Sequence, residues 1–171
     1  MAETADMACI LLIRHGEKSA DNTDPHLSDQ GRARAAMLAA QLPALYPTIA
    51  KLYATAPSRA SNRPFETIAP LATALGLSIH NGFADKEYAA LAAHVLQGLD
   101  KLAGKTVVIC WHHEKIPALA RDGFGQTAAP GTWDDSVYDQ IWQIDFVTRT
   151  DSRFAILPQP PLAEPPPAAA D

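Results

Sequence analysis

Cysteine is almost missing: the chain of 171 residues has only Cys9 and Cys110. Both sit in apolar runs, where a free thiol behaves as a small hydrophobe. A disulfide framework is thereby excluded, and the sequence contains neither Cys-x-x-Cys nor His-Glu-x-x-His, so no metal site and no cofactor are expected. Excess positive charge is missing too. Lys and Arg number 14 against 19 Asp and Glu, a net charge of −5, which is not the basic surface that nucleic-acid binding requires. Any anion site must be local. No stretch approaches the roughly 18 apolar residues of a membrane span, and residues 1–7 carry acids where a signal peptide would begin basic. These absences predict a soluble cytoplasmic protein with no nucleic-acid or membrane partner, and leave its oligomeric state open.

What is present reads as one α/β domain over residues 1–157, followed by a Pro- and Ala-rich disordered tail, 158–171. The apolar share is 47% and the charged share 19%, a globular composition. The length suits a core on both sides of a sheet. Ile10–Ile13 and Lys105–Trp111 are continuous apolar runs of the kind found in strands buried on both faces. Ala50–Thr55 and Leu77–Ile79 are weaker strand candidates, and Gln140–Val147 with Arg153–Leu157 predicts edge strands in a hairpin. Ser28 and Asp29 announce a helix that Pro43 and Pro47 close. Pro64 starts a second helix, which ends at Gly76. Lys86–Leu102 has the clearest amphipathic spacing, through Tyr88, Leu91, Ala92, Val95, Leu96, Leu99 and Leu102. Residues 122–135 form a Gly- and Pro-containing loop able to close over a site. Alternating strands and helices predict a three-layer α/β fold, its central sheet mostly parallel and covered by helices on both faces.

Polar groups gather at the strand ends. Ile13 gives way to Arg14-His15-Gly16, the second strand leads to Arg59 and Arg63, and Trp111 is followed by His112 and His113. A parallel sheet puts such ends on one edge, where open α/β sheets bind ligands. Two guanidiniums and two imidazoles meeting there suit a phosphoryl group, because Arg offers planar forks of donors matched to phosphate oxygens. An imidazole among them can attack phosphorus, dividing one displacement into two easier ones. The other histidines, His26, His80 and His94, read as surface or packing residues. Trp133, Tyr138 and Trp142 fit the core better than a substrate entrance.

Arg14-His15-Gly16-Glu17 resembles the defining motif of the histidine phosphatase superfamily, the phosphoglycerate-mutase-like fold. Leu27-Ser28-Asp29-Gln30-Gly31 ahead of a helix, Arg63 four residues before Thr67, and a buried strand running into His112 four residues before Ile116 follow in the family's order, over about residues 8–120. The resemblance implies a phosphomonoesterase that works through a covalent phosphohistidine on His15. Arg14, Arg63 and a protonated His112 would form the phosphate pocket without a metal. Gly16, Lys18, Arg59, His113 and Glu114 would surround the substrate. Glu87, placed by its distance from Gly76-Leu77, is the expected general acid, with Asp85 and Glu114 as rivals. Two departures stand out: Trp111-His112-His113 replaces the usual Ser-His-Gly, and His113 occupies the place of the acid-phosphatase Asp. The chain is also short of the insertions with which family mutases hold a sugar acid, which favours hydrolysis. A small phosphorylated molecule or a phosphorylated protein is the expected partner. The alternatives are a phosphohistidine-type protein phosphatase, a phosphoglycerate-mutase-like phosphotransferase, and a catalytically silent phosphate-binding regulator.

Overall fold

The computed structural model describes residues 7–162. Its strands are β1 (Ala8–Arg14), β2 (Ile49–Ala54), β3 (Ile79–His80), β4 (Lys105–Trp111), β5 (Gln140–Phe146) and β6 (Ser152–Pro158). They form one sheet in the order β3-β2-β4-β1-β5-β6. The two strongest apolar runs, β1 and β4, are parallel neighbours at its centre, with Arg14 opposite Trp111. β2 is parallel to β4, and β3 to β2. β5 runs antiparallel to β1, and β6 antiparallel to β5. The sheet is therefore mixed, where the sequence pointed to a mostly parallel one. The expected hairpin is present, but it joins the main sheet beside β1, and a short hairpin connection imposes antiparallel pairing.

Successive side chains of the central strands feed two cores. Ile10, Leu12, Val107 and Ile109 pack with Leu91, Val95 and Trp142, whereas Leu11, Ile13 and Val108 pack with Leu38, Leu42, Ile68 and Leu71. Helices α1 (Asp29–Leu45) and α2 (Arg63–Leu75) thus cover one face, and α3 (Tyr88–Gln97) covers the other. Each fully buried Leu or Ile contributes about 1.5–3 kcal/mol. Ser28 caps α1 by accepting the N–H of Gly31 at 3.1 Å. α1 continues through Pro43 to Leu45, slightly past the expected stop. α2 begins and ends as the sequence indicated, with Pro64 in its first turn and Gly76 left-handed at φ 66°. The long amphipathic helix does not form in one piece. A 3₁₀ turn (Asp85–Glu87) precedes α3, and after Gly98 a second one (Leu99–Leu102) completes the buried face. Glycine is a poor helix former, and the tighter turn lets Leu99 and Leu102 still reach the core. The short α4 (Ile116–Ala118) passes into a π turn at Leu119–Gly123.

Two glycines fix the loop after β1. A Cβ on Gly31 would stand 2.3 Å from the Glu17 carbonyl, and one on Gly16 would stand 2.9 Å from the Gly31 carbonyl. The first turn of α1 consequently lies backbone against backbone on the segment that carries His15. Gly31→Ala is expected to cost roughly 1–3 kcal/mol by overpacking, read as a lower denaturant midpoint at unchanged slope. A midpoint equal to that of the parent chain would contradict this packing.

β6 ends at Pro158, and the described chain continues beyond it to residue 162. Gln159 is buried, donates its N–H to Asp139 O at 2.8 Å, and accepts from Arg34 Nη1 at 2.9 Å. The part of the expected tail from 163 to 171 lies outside the described residues.

Candidate active site

The register of β1 on β4 carries one residue past the sheet, where His15 N donates to Trp111 O at 3.2 Å. His15 and His112 are thereby brought together, ring centroids 5.2 Å apart and planes at 71°. The start of α2 delivers Arg63 to the same place. These groups line a cavity of about 280 Å³, with Lys18, Asp85, His113 and Glu114 on its walls. Of the residues expected at the site, Arg14, His15, Lys18, Arg63, His112, His113 and Glu114 line the cavity. Gly16 stands behind His15, its N–H donated to Thr67 Oγ1 at 2.8 Å. Thr67 in turn donates to Arg63 O at 2.7 Å, so one hydroxyl ties the His15 loop to the Arg63 helix.

Arg59 and Glu87 do not line the cavity; both side chains are exposed. Glu87 Oε1 accepts the N–H of Ala84 at 2.9 Å, closing its own 3₁₀ turn. Asp85 takes the wall position instead. Two residues apart on a helix with three residues per turn, the two carboxyls face different directions. The turn is held in place by the Trp111 indole, which donates to Asp85 O at 3.1 Å. Burial pushes the Asp85 carboxyl above the usual range, opposed by Lys115 and assisted by Glu114.

His15 is 3% exposed. Its Nδ1 lies 2.7 Å from Gly16 O, and because a carbonyl only accepts, Nδ1 carries the hydrogen and Nε2 keeps its lone pair. Burial pushes the ring down to about 3, with the neighbouring His112, Arg14 and Arg63 adding to the effect. Neutral imidazole with a free Nε2 is a nucleophile. His112 is also pushed down, to about 4, by burial and then by Arg63, so it is neutral near pH 7 where the sequence pointed to a protonated ring. His113 is lowered for the same first reason.

The two guanidiniums differ. Arg63 Nη1 donates to Asp24 O at 2.7 Å. Arg14 is fully buried, and its Nη1 and Nη2 donate to Asp135, Val137 and Tyr138, at and just beyond the end of the loop expected over residues 122–135. Arg14 thus lacks the free fork anticipated for it. Among the described residues, the buried atoms without a hydrogen-bond partner include Arg14 Nε, Arg63 Nε and Asp85 Oδ1. All three belong to cavity-lining residues, and buried polar atoms so left are costly unless a ligand pairs with them. The Glu17 carboxylate is clasped by Arg34 at 2.7 and 3.0 Å. Trp133 and Trp142 stack at 4.9 Å in the core, while Tyr138 lies over Arg14. Asp135 and Thr67 were not read from the sequence as site residues, although the four-residue step from Arg63 already hinted at Thr67. Among the described residues, no group of three or more His, Cys, Asp or Glu is placed to hold a metal ion. No described helix is long and apolar enough to cross a membrane.

A paired-histidine pocket at the carboxyl edge of an α/β sheet defines a class of protein. The profile of the histidine phosphatase superfamily (branch 1) matches residues 10–87. No curated protein matches the sequence. Solved structures do resemble the fold. The protein histidine phosphatase SixA complexed with tungstate is 15% identical at a TM-score of 0.62, over 88% of this chain and 96% of that one. The mycobacterial glucosyl-3-phosphoglycerate phosphatase with inorganic phosphate is 13% identical at 0.61, over 88% and 96%. A mutant phosphoserine phosphatase from Entamoeba histolytica in complex with phosphoserine is 15% identical at 0.56, over 86% and 94%.

Proposed function

We propose that the protein is a metal-independent phosphomonoesterase that transfers the phosphoryl group of its substrate to His15 and then to water. The observation that carries this reading is the free Nε2 of His15 beside the unpaired Nε atoms of Arg14 and Arg63. In the first step Nε2 attacks phosphorus, the bond from phosphorus to the ester oxygen breaks, and Asp85 gives its proton to the departing alkoxide. In the second, water attacks the phosphohistidine, the P–N bond breaks, and Asp85 takes the proton back. Arg14 Nε, Arg63 and His112 face the oxygens on which charge accumulates, in a cleft where such contacts are strong. A dianionic phosphoryl group beside His112 raises its pKa, so substrate binding draws a proton onto that ring.

A phosphorylated protein side chain is the second reading, favoured by a rim on which Lys18 and Glu114 are both exposed. The fold is shared with a protein histidine phosphatase. Phosphate release from an aryl phosphate, repeated with phosphorylated metabolites, phosphohistidine peptides and excess chelator, tests both. Turnover that chelator leaves unchanged is expected. Phosphate binding without turnover would replace hydrolysis by a regulatory role, and activity restored only by a divalent cation would end the metal-independent mechanism.

A further inference from the structure

Hydrolysis as described makes no use of Asp135, an acid at the rim with a side chain 72% exposed. Arginine has five N–H donors. In Arg14, Nη1 donates to Asp135 O at 2.6 Å and Val137 O at 2.9 Å, while Nη2 donates to Asp135 Oδ1 and Tyr138 Oη, both at 3.2 Å. Only Nε remains. The same Asp135 Oδ1 lies 3.4 Å from His113 Nε2, so one carboxylate oxygen occupies a donor of Arg14 and stands against a second cavity-lining residue.

The backbone of this segment is firmly held. Ser136 N and Oγ donate to Asp134 Oδ1 at 2.8 and 2.6 Å, Val137 N donates to Asp134 O at 3.0 Å, and Trp133 Nε1 donates to Val137 O at 2.8 Å. The carbonyls that Arg14 reaches thus belong to a hydrogen-bonded backbone. The Asp135 side chain differs, because rotation about its exposed χ1 releases Arg14 Nη2 and His113 Nε2 together without moving the backbone.

We propose that Asp135 sets the anion affinity and charge preference of the site: its carboxylate takes the donor on Arg14 Nη2, and the place beside His113 Nε2, that a phosphoryl oxygen would otherwise occupy. The inference rests on reading the cavity as a phosphoryl site. A carboxylate and a phosphoryl oxygen present the same kind of acceptor, and only one can hold that donor at a time. A dianion must also enter against the carboxylate charge, which at about 6 Å weakens binding roughly tenfold even at the dielectric of water. Dianions are disfavoured more than monoanions, and the inorganic phosphate product more than an ester whose leaving group makes further contacts.

The test is calorimetric titration of the full chain with inorganic phosphate at pH 8 and low salt, for the parent, Asp135→Asn and Asp135→Ala. Asn keeps the shape and removes the charge, Ala removes both, and the exposed position makes misfolding no obstacle. Both variants are expected to bind phosphate roughly tenfold more tightly, with Ala at least equal to Asn. A residue that merely positioned Arg14 would give weaker binding when replaced. Equal or weaker binding in the variants, with a parent that binds, would overturn the role of Asp135 alone. Absence of binding in all three proteins would overturn the phosphoryl reading and this inference with it.

Discussion

His15→Ala is expected to lower turnover of an aryl phosphate on the order of 10⁴-fold or more, because it removes the atom proposed to form the covalent bond. No rescue by a neighbour is foreseen. The ring centroid of His112 lies 5.2 Å from that of His15. The substitution also strips Gly16 O of its partner, the His15 ring at 2.7 Å, at a cost of about 1–3 kcal/mol in stability. A denaturation curve accordingly has to accompany the rates. Brief mixing of the parent protein with labelled substrate should trap a phosphoprotein that is labile to acid and survives alkali, and the variant should trap none. The pH profile carries a second signature. With its folded value pushed down to about 3, His15 is neutral and nucleophilic at every pH above that point and becomes protonated only as the pH falls through it. The acid limb of kcat/KM should therefore not lie near 6.5, the value of an unperturbed imidazole. Turnover of His15→Ala near the parent rate would end the mechanism.

The elements whose positions were legible in the sequence share one property: their surroundings are written locally. β1 and β4 are buried on both faces, so each reads as an unbroken apolar run, and the polar residue that ends it marks the sheet edge. Pro64 likewise marks the start of α2 and with it the position of Arg63. Strand direction at the sheet margin was not legible, because the alternation of β5 and β6 is the same whichever neighbour they join. Nor was the break at Gly98, where tertiary burial of Leu99 and Leu102 decides between one helix and two turns. In the site, Asp135 reaches Arg14 across 121 positions of chain, a distance at which spacing carries no information. Glu87 was favoured by counting along the sequence, whereas the facing carboxyl depends on rotation around a 3₁₀ turn. The protonation of His112 could not be read either, since the burial that keeps it neutral arises only when β1, α2 and β4 come together.

Asp85→Asn should separate substrates by leaving group. An alkyl phosphate expels a poorly stabilised alkoxide that needs a proton in the transition state, and a general acid supplies typically 10²–10⁴-fold in rate. An activated aryl phosphate leaves without that help. Asp85 meets the requirement on three grounds: it lines the cavity, its buried Oδ1 has no hydrogen-bond partner, and burial raises its carboxyl so that the protonated form persists to higher pH. Alkyl hydrolysis by the parent should fall as pH rises through that raised value, since the acid is lost there, and the variant should lack this limb. Glu87, committed to Ala84 N–H at 2.9 Å, is expected to give Glu87→Gln near-parent rates on both substrates. Glu114 is exposed on the cavity wall and is the remaining competitor. Equal losses on both esters in Asp85→Asn, with a selective alkyl loss in Glu114→Gln, would move the proton to Glu114, whereas a selective loss in Glu87→Gln would require the 3₁₀ turn to rearrange when substrate binds.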